Sequence, residues 1–272
     1  MFIENNSGGV VYMTSQAIKN RHAFTTRIGG VSTGIHESLN LGENRGDAPE
    51  LVEENYRRLE KALEIGHGEL VFSRQIHTDN VRVVTEKDAH QLFNPVTYEA
   101  DALVTAVREV PLIIFIADCV PVLLEDLEAG VIAAVHCGWR SSVMDILGKT
   151  VRRMCELGAA PEKIGAAIGP SIGSCCFETG AEVPEAIDRW LGQDADRFYE
   201  PEKGVPGKFM VDLRGANKQR LLRLGLLEEN ISLSDECTIC KCEKYWSHRV
   251  TKGQRGSQAA VIVMQKAAYE EK

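Results

Sequence analysis

Val131-Ile132-Ala133-Ala134-Val135 runs without interruption into His136-Cys137-Gly138-Trp139-Arg140. Five consecutive apolar residues predict a strand buried on both faces, and its end carries side chains able to hold a metal or an anion. Upstream, residues 110–117 form a second apolar run that ends at Asp118-Cys119, and a third expected strand, over residues 70–76, ends at His77. The last of these is expected to pair with residues 81–84 about the polar Thr78-Asp79-Asn80 link. Downstream, Val143, Ile146, Leu147, Val151 and Met154 recur with the helical period, so one helix is expected over 141–157, capped by Ser141 or Ser142. Pro49 opens another, to about residue 63, with Leu51, Val52, Tyr56, Leu59 and Leu63 on one face. A short strand over 164–168 leads into Gly169-Pro170. Helices near 184–191 and 215–224, strands near 209–213 and 259–264, and a surface loop over 201–207 complete the reading. Strands and helices alternate without a strict βαβ rhythm. This predicts an α+β fold, a mixed β-sheet core flanked by helices, and not a doubly wound one. No linker interrupts the pattern, so residues 1–272 read as a single domain.

Composition narrows the function classes. Hydrophobic residues make up 44% and charged residues 26%, globular averages that exclude a disordered or collagen-like chain. The net charge of −8 argues against a nucleic-acid partner held by phosphate attraction. The longest apolar stretch, residues 110–124, is broken by Asp118 and falls short of the roughly 20 residues a membrane helix needs. The opening MFIENNSGGV has no basic start and no apolar core, so no signal peptide is expected. Eight cysteines then read as reduced thiols of a cytoplasmic protein, some of them available as metal ligands.

Four constellations carry possible chemistry. His77, Cys119 and His136 each sit just beyond an expected strand end, and adjacent strands could bring them together. Two imidazoles and a thiolate suit Zn²⁺, and three protein ligands leave a fourth position open, as in catalytic sites. The plain alternative is a core thiol and two polar strand-end histidines. Cys237, Cys240 and Cys242 with His248 could close a structural zinc knot, but the C-x-C step strains a shared tetrahedron, so isolated cysteines are expected. His67-Gly68-Glu69 with Cys237 and Cys240 only echoes the zinc deaminase signature: Glu236 stands where Pro belongs, and Gly66 and Gly68 suggest a helix stop. Finally, Arg27 precedes Gly29-Gly30, Arg140 follows His136, and Arg249 and Arg255 flank a polar turn. Arginine beside glycine-rich backbone suits an oxyanion, although neither usual nucleotide fingerprint is present.

Taken together, T-R-I-G-G-V-S-T-G, S-L-N-L-G, Q-I-H, A-D-A-L-V-T, A-D-C-V-P-V-L-L, V-H-C-G-W-R, I-G-P-S-I-G, V-D-L and S-H-R-V…R-G-S resemble the bacterial YfiH/YlmD family. That family was formerly labelled a multicopper polyphenol oxidase or laccase domain, and its members are now described as purine nucleoside phosphorylases. The resemblance runs from about residue 24 to 263. It implies a sandwich related to the cytotoxic necrotising factor fold and a Zn²⁺ held by His77, Cys119 and His136. It further implies phosphorolysis of adenosine, inosine and methylthioadenosine, with adenosine deamination as a second activity. The substrates would be small purine nucleosides and phosphate, with no nucleic-acid or membrane partner. This chain reads W-S-H-R-V from Trp246 where members often read F-S-Y-R-R, so His248 and Val250 replace a tyrosine and an arginine.

On this reading, zinc and an arginine such as Arg27 or Arg249 hold phosphate or activate water. Asn40 and the Gly29-Gly30 backbone orient the nucleoside. The rivals are a Cys–His hydrolase or deamidase using Cys119 and His136, and a non-catalytic nucleoside-binding protein. A copper oxidase is disfavoured because seven histidines with no H-x-H pair supply too few imidazoles.

Overall fold

The computed structural model describes residues 1–43, 45–66 and 70–265; His67-Gly68-Glu69 therefore lies outside the described residues. At its centre is a hairpin. Strands β7 (Val120–Asp126) and β8 (Val131–Cys137) pair antiparallel from Val120↔Cys137 to Asp126↔Val131, and every residue of both is buried. Asp126 builds the turn between them: Oδ1 accepts the backbone N–H groups of Glu128 and Ala129, the local bonding that favours Asp where chains reverse. Around the hairpin lies a six-stranded sheet in the order β13 (Ile231–Leu233), β9 (Gly165–Ile168), β7, β8, β5 (Ala102–Thr105), β4 (Val81–Val83). Its outermost pair at each edge is parallel and the inner pairs are antiparallel.

A second, wholly antiparallel sheet has the order β1 (Phe2–Ser7), β2 (Val10–Ser15), β3 (Arg21–Thr25), β14 (Gln258–Val263), β6 (Leu112–Ile116). Strand side chains alternate between faces, and this period sorts the apolar residues into layers. Leu103, Leu123, Ile132 and Ala167 of the larger sheet meet Phe24, Leu112, Ile114 and Ile262 of the smaller one. The opposite face of the larger sheet, with Val104, Val122 and Val135, is covered by helices α3 (Ile146–Glu156), α4 (Glu182–Leu191) and α5 (Leu213–Arg223). The opposite face of the smaller sheet packs Ile113 and Val261 under Val52, Tyr56 and Leu59 of α1 (Pro49–Leu63). The architecture is an α/β/β/α sandwich, the α+β class expected, with a small three-stranded sheet, β10 (Glu178–Thr179), β12 (Phe209–Val211), β11 (Tyr199–Pro201), beside it.

Two expectations are corrected, and a strand the sequence did not mark, β7, follows the one expected over 110–117. Residues 70–76 do not pair with 81–84: they make isolated bridges to His90, Leu112 and Glu99, and β4 pairs parallel with β5. The helix expected over 141–157 is two helices. α2 (Trp139–Val143) begins ahead of Ser141 and Ser142, which are buried inside it. α3 restarts after Asp145, whose φ of 70° breaks the ladder and whose carboxylate takes both Nε and Nη2 of Arg220. The long apolar run 110–124 is likewise two strands of different sheets: β6 ends at Ile116, β7 begins at Val120, and the chain steps between sheets through Ala117-Asp118-Cys119.

Gly169 marks where the sheets approach most tightly at this end, because a Cβ there would overlap the buried Phe24 ring. Gly169→Ala is expected to destabilise the fold by about 1–3 kcal/mol through overpacking, measured by denaturant unfolding.

Candidate active site

The step between sheets delivers Asp118 and Cys119 to one end of the sandwich. Asp118 takes a left-handed backbone, φ 82°, a conformation Asp tolerates better than most residues. Its carboxylate is buried and filled: Oδ1 accepts from Thr238 Oγ1 at 2.6 Å, and Oδ2 from Ser247 Oγ and the Arg249 N–H. The step is therefore pinned to the loops that carry Thr238 and Arg249.

His136 reaches the same place from the end of β8, and His77 from the turn after residues 70–76. One side chain organises both. Asp101, fully buried before β5, accepts the N–H groups of Ile76, His77 and Thr78 and the Thr78 hydroxyl, and its Oδ1 lies 2.9 Å from His136 Nδ1. Holding Nδ1 leaves His136 Nε2 as the ligating nitrogen, the usual carboxylate–histidine arrangement of metal sites. The His77 and His136 rings stand edge-to-face 4.9 Å apart, Cys119 Sγ is 3.9 Å from His77 Nε2, and one donor atom from each of the three residues lies within 4.8 Å of the others. This donor set fits a zinc ion with one position open toward the cavity described next. Burial alone would raise the Cys119 thiol, but the two rings beside it, His136 foremost, bring it down to about 6. Burial would lower His136, but Cys119 and Asp101 hold it up at about 9.

The three residues line a cavity of about 900 Å³. Phe72, Phe115, Trp139 and Phe177 supply aromatic wall, and Arg45, His248, Arg249 and Arg255 supply polar wall. Burial and neighbouring Arg45 pull the Arg255 guanidinium down to about 10. Neither Arg45 nor Arg255 has a carboxylate ion pair among the described residues; Glu43 and Asp118 also line the cavity, and the charges of Asp118 and Cys119 act on Arg255 from a distance. His248 is lowered by burial and by Arg255, which keeps its ring neutral, with one donor and one acceptor nitrogen.

The other expected residues fall elsewhere. Arg249 lines the cavity, with its guanidinium also donating to the Glu178 carbonyl. Arg27 does not line it: its guanidinium stacks 3.9 Å from the Trp246 ring and points at the Cys242 carbonyl. Asn40 is buried behind the wall, its Oδ1 accepting from the N–H groups of Gly42 and Ser257; it supports two lining residues and touches none of the space. Gly30 packs its backbone against Ser38 and Leu39. Val250 is 47% exposed and off the wall. Sequence reasoning missed Asp101 and Arg45. Asp101 stands in the quoted A-D-A-L-V-T motif, but its partners are 23 to 35 residues away in the chain.

A second donor cluster lies off the cavity. It is not the knot of Cys237, Cys240, Cys242 and His248 weighed from sequence, since His248 turns to the cavity and Cys242 stays out. Cys175 and Cys176 join Cys237 and Cys240 instead, and these four thiols could hold a metal.

A two-sheet sandwich with a His–Cys–His donor set in a cavity lined by aromatic rings and arginines is the frame for the class of protein, and comparison with known proteins gives the family. The model described as "Multi-copper polyphenol oxidoreductase laccase" matches residues 21–265, and the chain belongs to this YfiH/YlmD family. A purine nucleoside phosphorylase of Corynebacterium glutamicum is 37% identical over 249 residues, covering 91% of this chain and 96% of the relative. A protein named adenosine deaminase RL5, from an unknown prokaryotic organism, is 33% identical over 241 residues, covering 86% of this chain and 90% of that one. The crystal structure of YlmD from Geobacillus stearothermophilus matches with a TM-score of 0.89 at 30% identity, covering 96% and 98% of the two chains. No helix among the described residues is long and apolar enough to cross a membrane.

In metal-stripped protein, Cys119 is expected to be the fastest-alkylated of the eight cysteines, with a rate that rises with pH and is half-maximal near pH 6. Peptide mapping after brief iodoacetamide treatment across pH 5–9 checks this, because the thiolate is the reacting form.

Proposed function

We propose that this protein is a zinc-dependent purine nucleoside phosphorylase. It would act on adenosine, inosine and methylthioadenosine with phosphate, and deaminate adenosine as a second activity in the same cavity. The observation that carries this reading is the joining of two features in one space: a His–Cys–His donor set and two arginines that make no ion pair with a carboxylate among the described residues. Both are needed, since phosphorolysis must bring a polyanion to the C1′ of a neutral nucleoside. The names of the curated relatives support the choice of substrate, and the eight unpaired cysteines fit a reducing compartment such as the cytoplasm.

His77, Cys119 and His136 would hold the zinc, which when bound supplies Lewis acidity at an open position. The chain's own residues do the rest. Arg45 and Arg255, joined by Arg249, bind the phosphate dianion by charge-assisted hydrogen bonds. Lying in a partly enclosed cavity, they hold it against a transition state of oxocarbenium character without reorganising. The aromatic wall offers flat apolar surface to a purine, and the His248 ring, whose charged form burial and Arg255 disfavour, can hydrogen-bond to the nucleoside. Asp101 keeps the Nδ1 proton on His136 and fixes the turn that carries His77. Arg140 stays with its own helix, stacked over Trp139.

A second reading is favoured by one observation, the lowered Cys119 thiol beside His136: a hydrolase with Cys119 as nucleophile and His136 as base. Metal content separates the two, because a zinc-bound thiolate is withdrawn from nucleophilic attack.

Cys119→Ala is expected to lose the zinc of this site together with phosphate-dependent cleavage of inosine and adenosine. Elemental analysis and a base-release assay check it, and retained phosphorolysis without that metal would overturn the reading. Arg45→Ala, at an exposed position, is expected to raise KM for phosphate about tenfold or more, the worth of one hydrogen bond to a charged group, with little change in KM for inosine. Initial-rate kinetics varying each substrate in turn separates these outcomes.

A further inference from the structure

We propose that Cys175, Cys176, Cys237 and Cys240 form a second metal site, a closed tetrathiolate that binds Zn²⁺ and staples two loops beneath the cavity wall. The distances suit it. Four sulfurs about 2.3 Å from one zinc stand about 3.8 Å apart. Here Cys240 Sγ lies 3.6 Å from Cys175 Sγ and 3.5 Å from Cys176 Sγ, and all four sulfurs are within 4.8 Å of one another.

The backbone also fixes the position of the Cys237 sulfur. It accepts the Gly173 N–H at 3.3 Å and is hydrogen-bonded by the backbone of Ile239 and Cys240. These donors hold it in place within 4.8 Å of the other three sulfurs. Arg214 stands beside the cluster, bonded to the carbonyls of Ser234 and Glu236. Its guanidinium fills the space that a Cβ at Gly173 would enter, and its charge offsets part of the double negative charge of a zinc tetrathiolate.

The four sulfurs come from two segments about 60 residues apart in sequence, joined otherwise by the bridge between Ser171 and Cys237 and by the Thr238 N–H to the Ser171 carbonyl. Ile172 and Phe177, on either side of the vicinal pair, line the cavity. Thr238, next to Cys237, holds Asp118. A metal here ties the floor of the cavity to the step that carries Cys119 without lining the cavity itself. Binding releases the thiol protons to solvent as each sulfur ionises and involves no change of oxidation state.

The test uses full-length protein and does not depend on the phosphorylase reading. Wild type is expected to carry two zinc ions per chain by elemental analysis, and Cys119→Ala one. Cobalt(II) loaded into the Cys119→Ala protein, which keeps all four thiols, is expected to show intense sulfur-to-cobalt charge transfer in the near ultraviolet and tetrahedral ligand-field bands in the red. Cys175→Ser/Cys240→Ser is expected to lose one zinc of the two and to melt at a lower temperature. A wild type with a single zinc that disappears in Cys119→Ala overturns the proposal. So does a cobalt spectrum without thiolate charge transfer, iron in place of zinc, or a disulfide from Cys240 to Cys175 or Cys176 in non-reducing peptide maps of freshly isolated protein. Zinc retained in Cys119→Ala and lost in the double variant supports the site even if the catalytic reading fails.

Discussion

A single buried carboxylate, Asp101, fixes the relation between two stretches of chain that share no strand pairing. Residues 76–78 would otherwise be an unsupported turn, and the ring at the end of β8 would be free to rotate about its own axis. By accepting three successive backbone N–H groups and the Nδ1 proton together, Asp101 sets both imidazoles at once. Burial works against the ionised carboxyl, but His136 and the surrounding N–H donors more than offset it and keep the group ionised below the usual carboxylate range. The donor set is thus rigid before any ligand arrives, the condition under which a site loses least on binding. His77, exposed and with φ 60°, shows how strongly the turn is held, since a non-glycine residue seldom adopts that backbone without such support.

Charge in the cavity is divided on the same economical plan. The one carboxylate at the step, Asp118, faces the protein and is consumed by Thr238, Ser247 and the Arg249 backbone. The arginine side chains face the space. A molecule with a net charge of −8 therefore presents a local positive field where a small anion enters, and the overall sign says little about what the site prefers.

How much of this was legible in the sequence depends on the range over which each feature is determined. Helix α1 is readable to the residue because Pro49 and the spacing of Val52, Tyr56, Leu59 and Leu63 are local signals. His77, Cys119 and His136 are readable as a candidate donor set because each stands just beyond an expected strand end. The break at Asp145 is not, since it rests on Arg220, 75 residues on. In residues 110–124 Asp118 marks the break, but a run buried on both faces has no alternation to show that the two halves enter different sheets. Arg27 looks like an anion holder beside Gly29-Gly30, but Trp246 takes its guanidinium, and nothing near Arg27 in the chain announces that ring. The pairing of Cys175 and Cys176 with the C-x-x-C turn is the same kind of fact, produced by β9 and β13 lying side by side.

The strand order of the smaller sheet bears on how the protein is made. β14, from residues 258–263, lies between β3 and β6, so that sheet has a gap until residue 263 has left the ribosome. Until then β6 has no strand partner in its own sheet and is held from its other side, by the bridge to Val71 and by the Gln75 side chain on the backbone of Phe115. The rings that lower the Cys119 thiol, those of His136 and His77, lie upstream of this strand. A chain ending before residue 258 would therefore carry all three donor residues and lack the strand that joins β3 to β6.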